Sequence, residues 1–216
     1  LFRSPAQDAV IKPATKLTAV TGTLHGWAAF QSEWKVYFNS YALQTPAGVV
    51  FIDPTKPSPA VCKRLTGLGE PAAVFLTNAH HDRDAGWFRK EFDIQIYAHE
   101  HAQPDCDTKI DVLVVDGEKL PGGLKAIFLP GVSDSEMALH GPGLLMIGDA
   151  ILNTPAKGLE LLPDQFIADK KLAQRSLAKL LDLDFAVATF GHGEPLKTDG
   201  RTALRQFHKT LQARRR

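Results

Sequence analysis

Residues 77–86, Thr-Asn-Ala-His-His-Asp-Arg-Asp-Ala-Gly, crowd two imidazoles, a guanidinium and two carboxylates into the five consecutive positions His80, His81, Asp82, Arg83 and Asp84. So dense a polar run does not fit the interior of a strand. The apolar run before it, Ala72-Ala73-Val74-Phe75-Leu76, reads as a buried strand, and a segment with helical spacing follows. The cluster therefore falls where a strand ends and a helix begins. In α/β architectures ligands and metals bind at such places, outside the carboxyl ends of strands. A chain built around this stretch needs a sheet with helices against it.

The remaining sequence supplies those parts. Residues 17–30, 34–43 and 48–52 are rich in β-branched and aromatic side chains and read as an antiparallel meander. Ser58-Pro59 is an N-cap and first-turn pair for a helix whose apolar face is Val61, Leu65 and Leu68. A short helix over 84–92, a strand over 94–98, a helical turn over 99–103 and an apolar stretch over 110–115 follow. The second half repeats the theme, with strands at 124–129, 137–140 and 144–147, then a helix from Asp169, a strand over 185–189 and a helix over 198–212. Residues 153–164, broken by Pro and Gly, read as a loop. Strands followed by helix and strand in each half predict two sheets packed face to face with helices outside.

At 216 residues and 44% hydrophobic composition, the chain fits one domain over 17–213, with a lead-in over 1–16 and a solvated basic tail over 214–216. Lys+Arg at 25 against Asp+Glu at 24 gives a net charge of +1, which makes no case for nucleic acid or a membrane surface as partner and leaves a small-molecule substrate or anion as the expectation. The composition leaves the oligomeric state open. Two distant cysteines, Cys62 and Cys106, make no disulfide framework and favour a reducing, cytoplasmic setting. The chain does not open on Met, so a removed signal peptide remains compatible with it.

Four potential ligands fall at predicted strand ends: His80, Asp82, Asp149 and His192. Imidazole and carboxylate are ordinary ligands of zinc and related metals. Residues two apart in extended chain share a side, which can bring His80 and Asp82 together. His192 lies between two glycines, where backbone approaches closely.

The ordered set Thr77 to Arg83, Pro130-Gly131-Val132, Gly148-Asp149 and Gly191-His192-Gly193 resembles the motifs of the metallo-β-lactamase-fold superfamily. The resemblance spans roughly residues 17 to 195. It implies an α+β fold, an αββα four-layer sandwich of two mixed sheets flanked by helices. Where the family places metal ligands, this chain has Asn78, Val132 and Arg83, and keeps His80, Asp82, Asp149 and His192. Valine cannot ligate, and the arginine guanidinium has no lone pair to give.

The resemblance thus implies a divergent hydrolase-like protein with at most one metal ion, zinc, iron or manganese, held by His80, Asp82, Asp149 and His192. Asp82 would orient or deprotonate the attacking water on an ester, thioester, amide or phosphoester. The alternative is a metal-free, non-catalytic module binding a small anion, with Arg83 and Asn78 in place of the metal and Arg83 forked onto Asp82 and Asp149. Asp53 is expected to serve its turn and to support the site from behind, and Asp84 to cap the following helix or to assist the site. His81 is expected to face solvent or the next helix, and His99 and His101 to be structural.

Overall fold

A computed structural model describes residues 11–213. The first ten residues of the expected lead-in and the basic tail at 214–216 lie outside the described residues. Eight strands build the first sheet: β1 (Ile11–Lys12), β2 (Thr18–Ala19), β3 (Leu24–Gln31), β4 (Val36–Thr45), β5 (Gly48–Ile52), β6 (Pro71–Phe75), β7 (Gln95–His99) and β8 (Val112–Val114). They run in the order β1-β3-β4-β5-β6-β7-β8, with β2 also on β3. The second sheet holds β9 (Lys119–Leu120), β10 (Leu124–Phe128), β11 (Met137–Gly141), β12 (Gly143–Ile147) and β15 (Phe185–Phe190), in the order β15-β12-β11-β10-β9. Between β12 and β15 in the chain, β13 (Leu152–Thr154) and β14 (Gly158–Glu160) form a small hairpin.

Four helices cover the outer faces: α1 (Pro59–Thr66), α2 (Ala85–Phe92), α3 (Lys170–Ser176) and α4 (Gly200–Ala213). Strand alternation produces the layering, because successive side chains point to opposite faces. In β5 and β6, Phe51 and Val74 turn outward to Val61, Leu65 and Phe88 of α1 and α2, whereas Ile52 and Phe75 turn inward. In β12, Met146 faces the first sheet, and Leu145 and Ile147 face Ala173, Leu177 and Leu204 on the opposite side. Three buried apolar layers thus separate four structural layers, the αββα sandwich expected from the sequence. No helix among the described residues is long and apolar enough to cross a membrane.

Local chemistry sets the element ends. Ser58 caps α1 with Pro59 in its first turn, and Asp169 caps α3 by accepting from the Leu172 N–H at 2.9 Å. Gly131 has φ +116°, and a Cβ there would run into the backbone of Ala173, so only glycine lets the 130–134 loop pack this closely on α3.

Several expectations shift. The meander's first strand starts at Leu24, because residues before it turn back as β2. The loop expected over 153–164 contains the β13–β14 hairpin, held by the pairing of Asn153 with Gly193, a contact from far along the chain. The helix expected from Asp169 onward tightens into a 3-10 turn, Leu177–Leu180. Within the lead-in, Ile11–Lys12 pairs with β3 and Ala14 is buried in the first apolar layer, as is Leu17 just after it.

Candidate metal centre

The parallel pairs β5/β6 and β12/β15 bring four strand ends to one edge of the sandwich. Residues just beyond those ends carry Asp53, Thr77, His81, Asp149 and His192. Hydrogen bonds pin the two sheets together there. The Asn39 side-chain amide donates to the carbonyls of Phe190 at 3.0 Å and Gly193 at 2.6 Å, the Tyr41 hydroxyl donates to Phe190 at 2.9 Å, and the Met137 N–H donates to Thr77 O at 2.7 Å.

After β6 the chain makes a 3-10 turn, Ala79–His81, which points His81 inward and His80 outward. His81 is 3% exposed, whereas His80 is exposed. His81 Nδ1 lies 2.9 Å from Asp53 Oδ2 and 3.0 Å from Thr77 Oγ1. Asp53 also accepts from the Thr77 N–H at 2.8 Å and the Thr77 hydroxyl at 2.6 Å. An ionised carboxylate only accepts, so the proton of a neutral His81 belongs on Nδ1 and its lone pair on Nε2. That Nε2 faces Asp149 Oδ1 at 3.3 Å. His192 repeats the arrangement: Nδ1 donates to the Tyr37 carbonyl at 2.7 Å, and Nε2 lies 3.3 Å from the same Asp149 oxygen. Asp149 Oδ1 is buried, within ion-pair reach of both rings but with neither aligned as a hydrogen bond.

Three lone-pair atoms thus face one another, all within 4.8 Å. Such a group needs a cation between its members, either protons on the rings or a metal ion. Both His–Asp separations match the roughly 3.3–3.4 Å between tetrahedral ligands about 2.0–2.1 Å from zinc, and the group spans up to 4.8 Å, so an ion would draw its members closer. Each imidazole also commits its other nitrogen to a carboxylate or a carbonyl, the usual way of aiming a ligating histidine.

The electrostatics follow the same pairing. Burial and the charge of Arg83 oppose protonation of His81, but Asp149 and Asp53 outweigh them and carry its pKa to about 9. Burial works against ionisation of Asp149 too, yet His81 and His192 hold it well below the usual carboxylate range. Behind it sits Glu136, fully buried, with Oε1 accepting from the N–H groups of Asp149 at 2.8 Å and Ala150 at 3.0 Å. Burial, reinforced by repulsion from Asp149, raises its pKa to about 8.

Of the four ligands expected from the sequence, the structure brings together Asp149 and His192. His80 points to solvent because the 3-10 turn replaces the extended chain that would have aligned it with Asp82. Asp82 instead accepts from the N–H groups of Asp107 at 2.8 Å and Thr108 at 3.3 Å, tying down the 103–108 segment. Asn78 donates to Glu136 Oε2 at 2.9 Å. Arg83, in the left-handed region at φ +37°, donates to the carbonyls of Asn39 at 2.7 Å and Asp53 at 3.1 Å and lies 4.6 Å over the Phe38 ring. The expected Arg83 fork onto Asp82 and Asp149 is not among the ion pairs of the described residues. Asp84 accepts from the Lys56 N–H at 2.8 Å and caps none of its own helix's amides. Asp53 does stand behind the cluster, and Val132 packs into the apolar layer under α3.

His81, expected to face solvent or the next helix, instead turns into the cluster against Asp53 and Asp149, and Glu136 escaped the sequence reading. Asn78 is extended and only Ala79–His81 turn, so helical spacing does not mark His81. Nothing local marks Glu136.

A family model described as the metallo-beta-lactamase superfamily matches residues 19–211. The chain belongs to the metallo-β-lactamase superfamily. Among solved structures, the superfamily fold is shared with TTHA1623 in a di-iron-bound form, at 26% identity and TM-score 0.62, covering 78% of this chain and 93% of that one. It is shared with DIM-1 metallo-beta-lactamase at 15% identity and TM-score 0.75, covering 94% and 100%. It is also shared with the metallo-beta-lactamase family protein TTHA1429 from Thermus thermophilus, at 22% identity and TM-score 0.67, covering 91% and 81%. No curated protein matches the chain in sequence.

Proposed function

We propose that this protein is a hydrolase-like member of the superfamily that works with a single metal ion held by His81, Asp149 and His192. The observation that carries this is the convergence of two imidazole Nε2 atoms on one buried carboxylate oxygen, with both Nδ1 atoms already committed elsewhere. Three protein ligands leave room for further coordination, as catalytic sites require. A divalent cation supplies Lewis-acid activation of water and of a carbonyl or phosphoryl oxygen. The chain's own residues do the positioning. Asp53 and Thr77 fix the tautomer and plane of His81, the Tyr37 carbonyl fixes those of His192, and Glu136 holds the backbone of Asp149. Substrates would be small esters, thioesters, amides or phosphoesters. The di-iron form of TTHA1623 places iron beside zinc and manganese among the ions to test.

A second reading rests on Arg83, whose buried Nη2 has no hydrogen-bond partner. In that reading no metal binds, protonated His81 and Arg83 balance Asp53 and Asp149, and the site receives a small anion.

Elemental analysis of protein purified without chelator separates the two. One transition-metal ion per chain, lost in His192→Ala while the thermal transition remains cooperative, supports the metal reading. A chain that stays metal-free after loading with zinc, iron and manganese overturns it and leaves the anion module.

A further inference from the structure

A cavity lies apart from the metal centre, and none of the cluster residues lines it. It is a groove of about 960 Å³ between the β13–β14 hairpin, the segment after it, α3 and α4. That volume is at the upper end for small-molecule sites. Its floor is apolar: Leu159, Leu161, Leu162 and Phe207 pack their inner sides on the layer beneath the second sheet and remain only half-buried. An apolar floor in a concave site with a few convergent polar groups is the usual form of a small-molecule site.

The rim is cationic. Lys157 pairs with Glu160 at 3.0 Å and Lys170 with Asp164 at 2.6 Å, so these charges are matched. Arg175, on the last turn of α3, also lines the groove and makes no ion pair with a described residue. A second, smaller recess of about 150 Å³ continues past Arg175 between α3 and α4 to His208 and Gln212. Arg175 thus lines both the groove and the recess that extends it.

We propose that this groove binds an anionic amphiphile, a carboxylate- or phosphate-headed molecule with an extended apolar body. The body would lie on Leu159, Leu161, Leu162 and Phe207, and the head would meet Arg175. Arginine suits either head, because its planar fork matches carboxylate and phosphate alike. This inference is independent of metal binding at His81, Asp149 and His192.

The test is calorimetric titration of the full chain with dodecanoate, dodecyl phosphate and dodecanol, each below its aggregation limit, followed by amide chemical-shift mapping. The expected result is 1:1 binding of one or both anions, with shifts confined to residues 157–175 and 207–212. The two anions distinguish the head-group source. Arg175→Glu, an exposed helical change that should keep the thermal transition cooperative, is expected to weaken the anion roughly tenfold or more. His192→Ala is expected to leave it unchanged. The proposal is overturned if neither anion binds, if dodecanol binds as tightly as the anions, or if Arg175→Glu has no effect.

Discussion

Asp53 Oδ2 and His81 Nδ1 lie 2.9 Å apart although 28 residues separate them in the chain. This contact decides which nitrogen of His81 faces Asp149. Asp53→Asn tests it. Asparagine tolerates the left-handed backbone at this position, φ +48°. Its amide group, however, would oppose the Nδ1 proton and turn the His81 lone pair away from Asp149. Metal affinity, measured by competition with a chromogenic chelator, is expected to fall roughly 10- to 100-fold with the fold intact.

His80 and His81 are neighbours with opposite fates, one exposed and one buried against Asp53 and Asp149. His80→Ala is expected to keep the metal content of the wild type, and His81→Ala to lose it. Parallel elemental analysis of the two variants checks this; equal loss in both would contradict the geometry.

Glu136 accepts the N–H groups of Asp149 and Ala150 and the amide of Asn78. Glu136→Ala strands those buried donors and is expected to cost about 3 kcal/mol or more, at about 1–3 kcal/mol per unsatisfied group. Glu136→Gln should cost less, about 1 kcal/mol. Asn78 Oδ1 has no partner and can accept from the new amide once Asn78 turns over. Urea unfolding of the two variants measures the difference.

Arg83 bridges two carbonyls while stacking on Phe38. A lysine keeps the charge but not the planar fork, so Arg83→Lys is expected to lose about 1–3 kcal/mol in denaturant unfolding. Arg83→His adds an imidazole near Asp149. A rise in bound metal above one ion per chain would show that Arg83 keeps a second ion out, and unchanged stoichiometry would show that it does not.

Arg89 grips both oxygens of Asp111 at 2.7 and 2.9 Å, and the Ile96 N–H adds a third bond. The Arg89 hydrogen bonds hold the Asp111 carboxyl below its usual range. A depressed carboxylate stabilises the fold above its unfolded pKa, about 3.9, and that stabilisation is lost as pH falls through the lower folded value. The stability gap between wild type and Asp111→Asn should therefore be constant near neutrality and shrink below about pH 4, as followed by unfolding at stepped pH.

The sequence by itself determined the fold and two of the three cluster residues, Asp149 and His192. Alternating side chains in β5, β6 and β12 set which face each strand buries, and that needs only local pattern. Gly148-Asp149 and Gly191-His192-Gly193 were legible because glycine-flanked polar residues after apolar runs mark strand ends. The tertiary structure decided which histidine of an adjacent pair turns inward. The course of one 3-10 turn exposes His80 and delivers His81, and Asp53 and Asp149, remote in sequence, receive it. It also gave Glu136 its place, since a buried carboxylate becomes tolerable only when folding brings amide donors to it. Periodicity reports how a segment faces its own sheet, but not which distant groups meet across the edge of two.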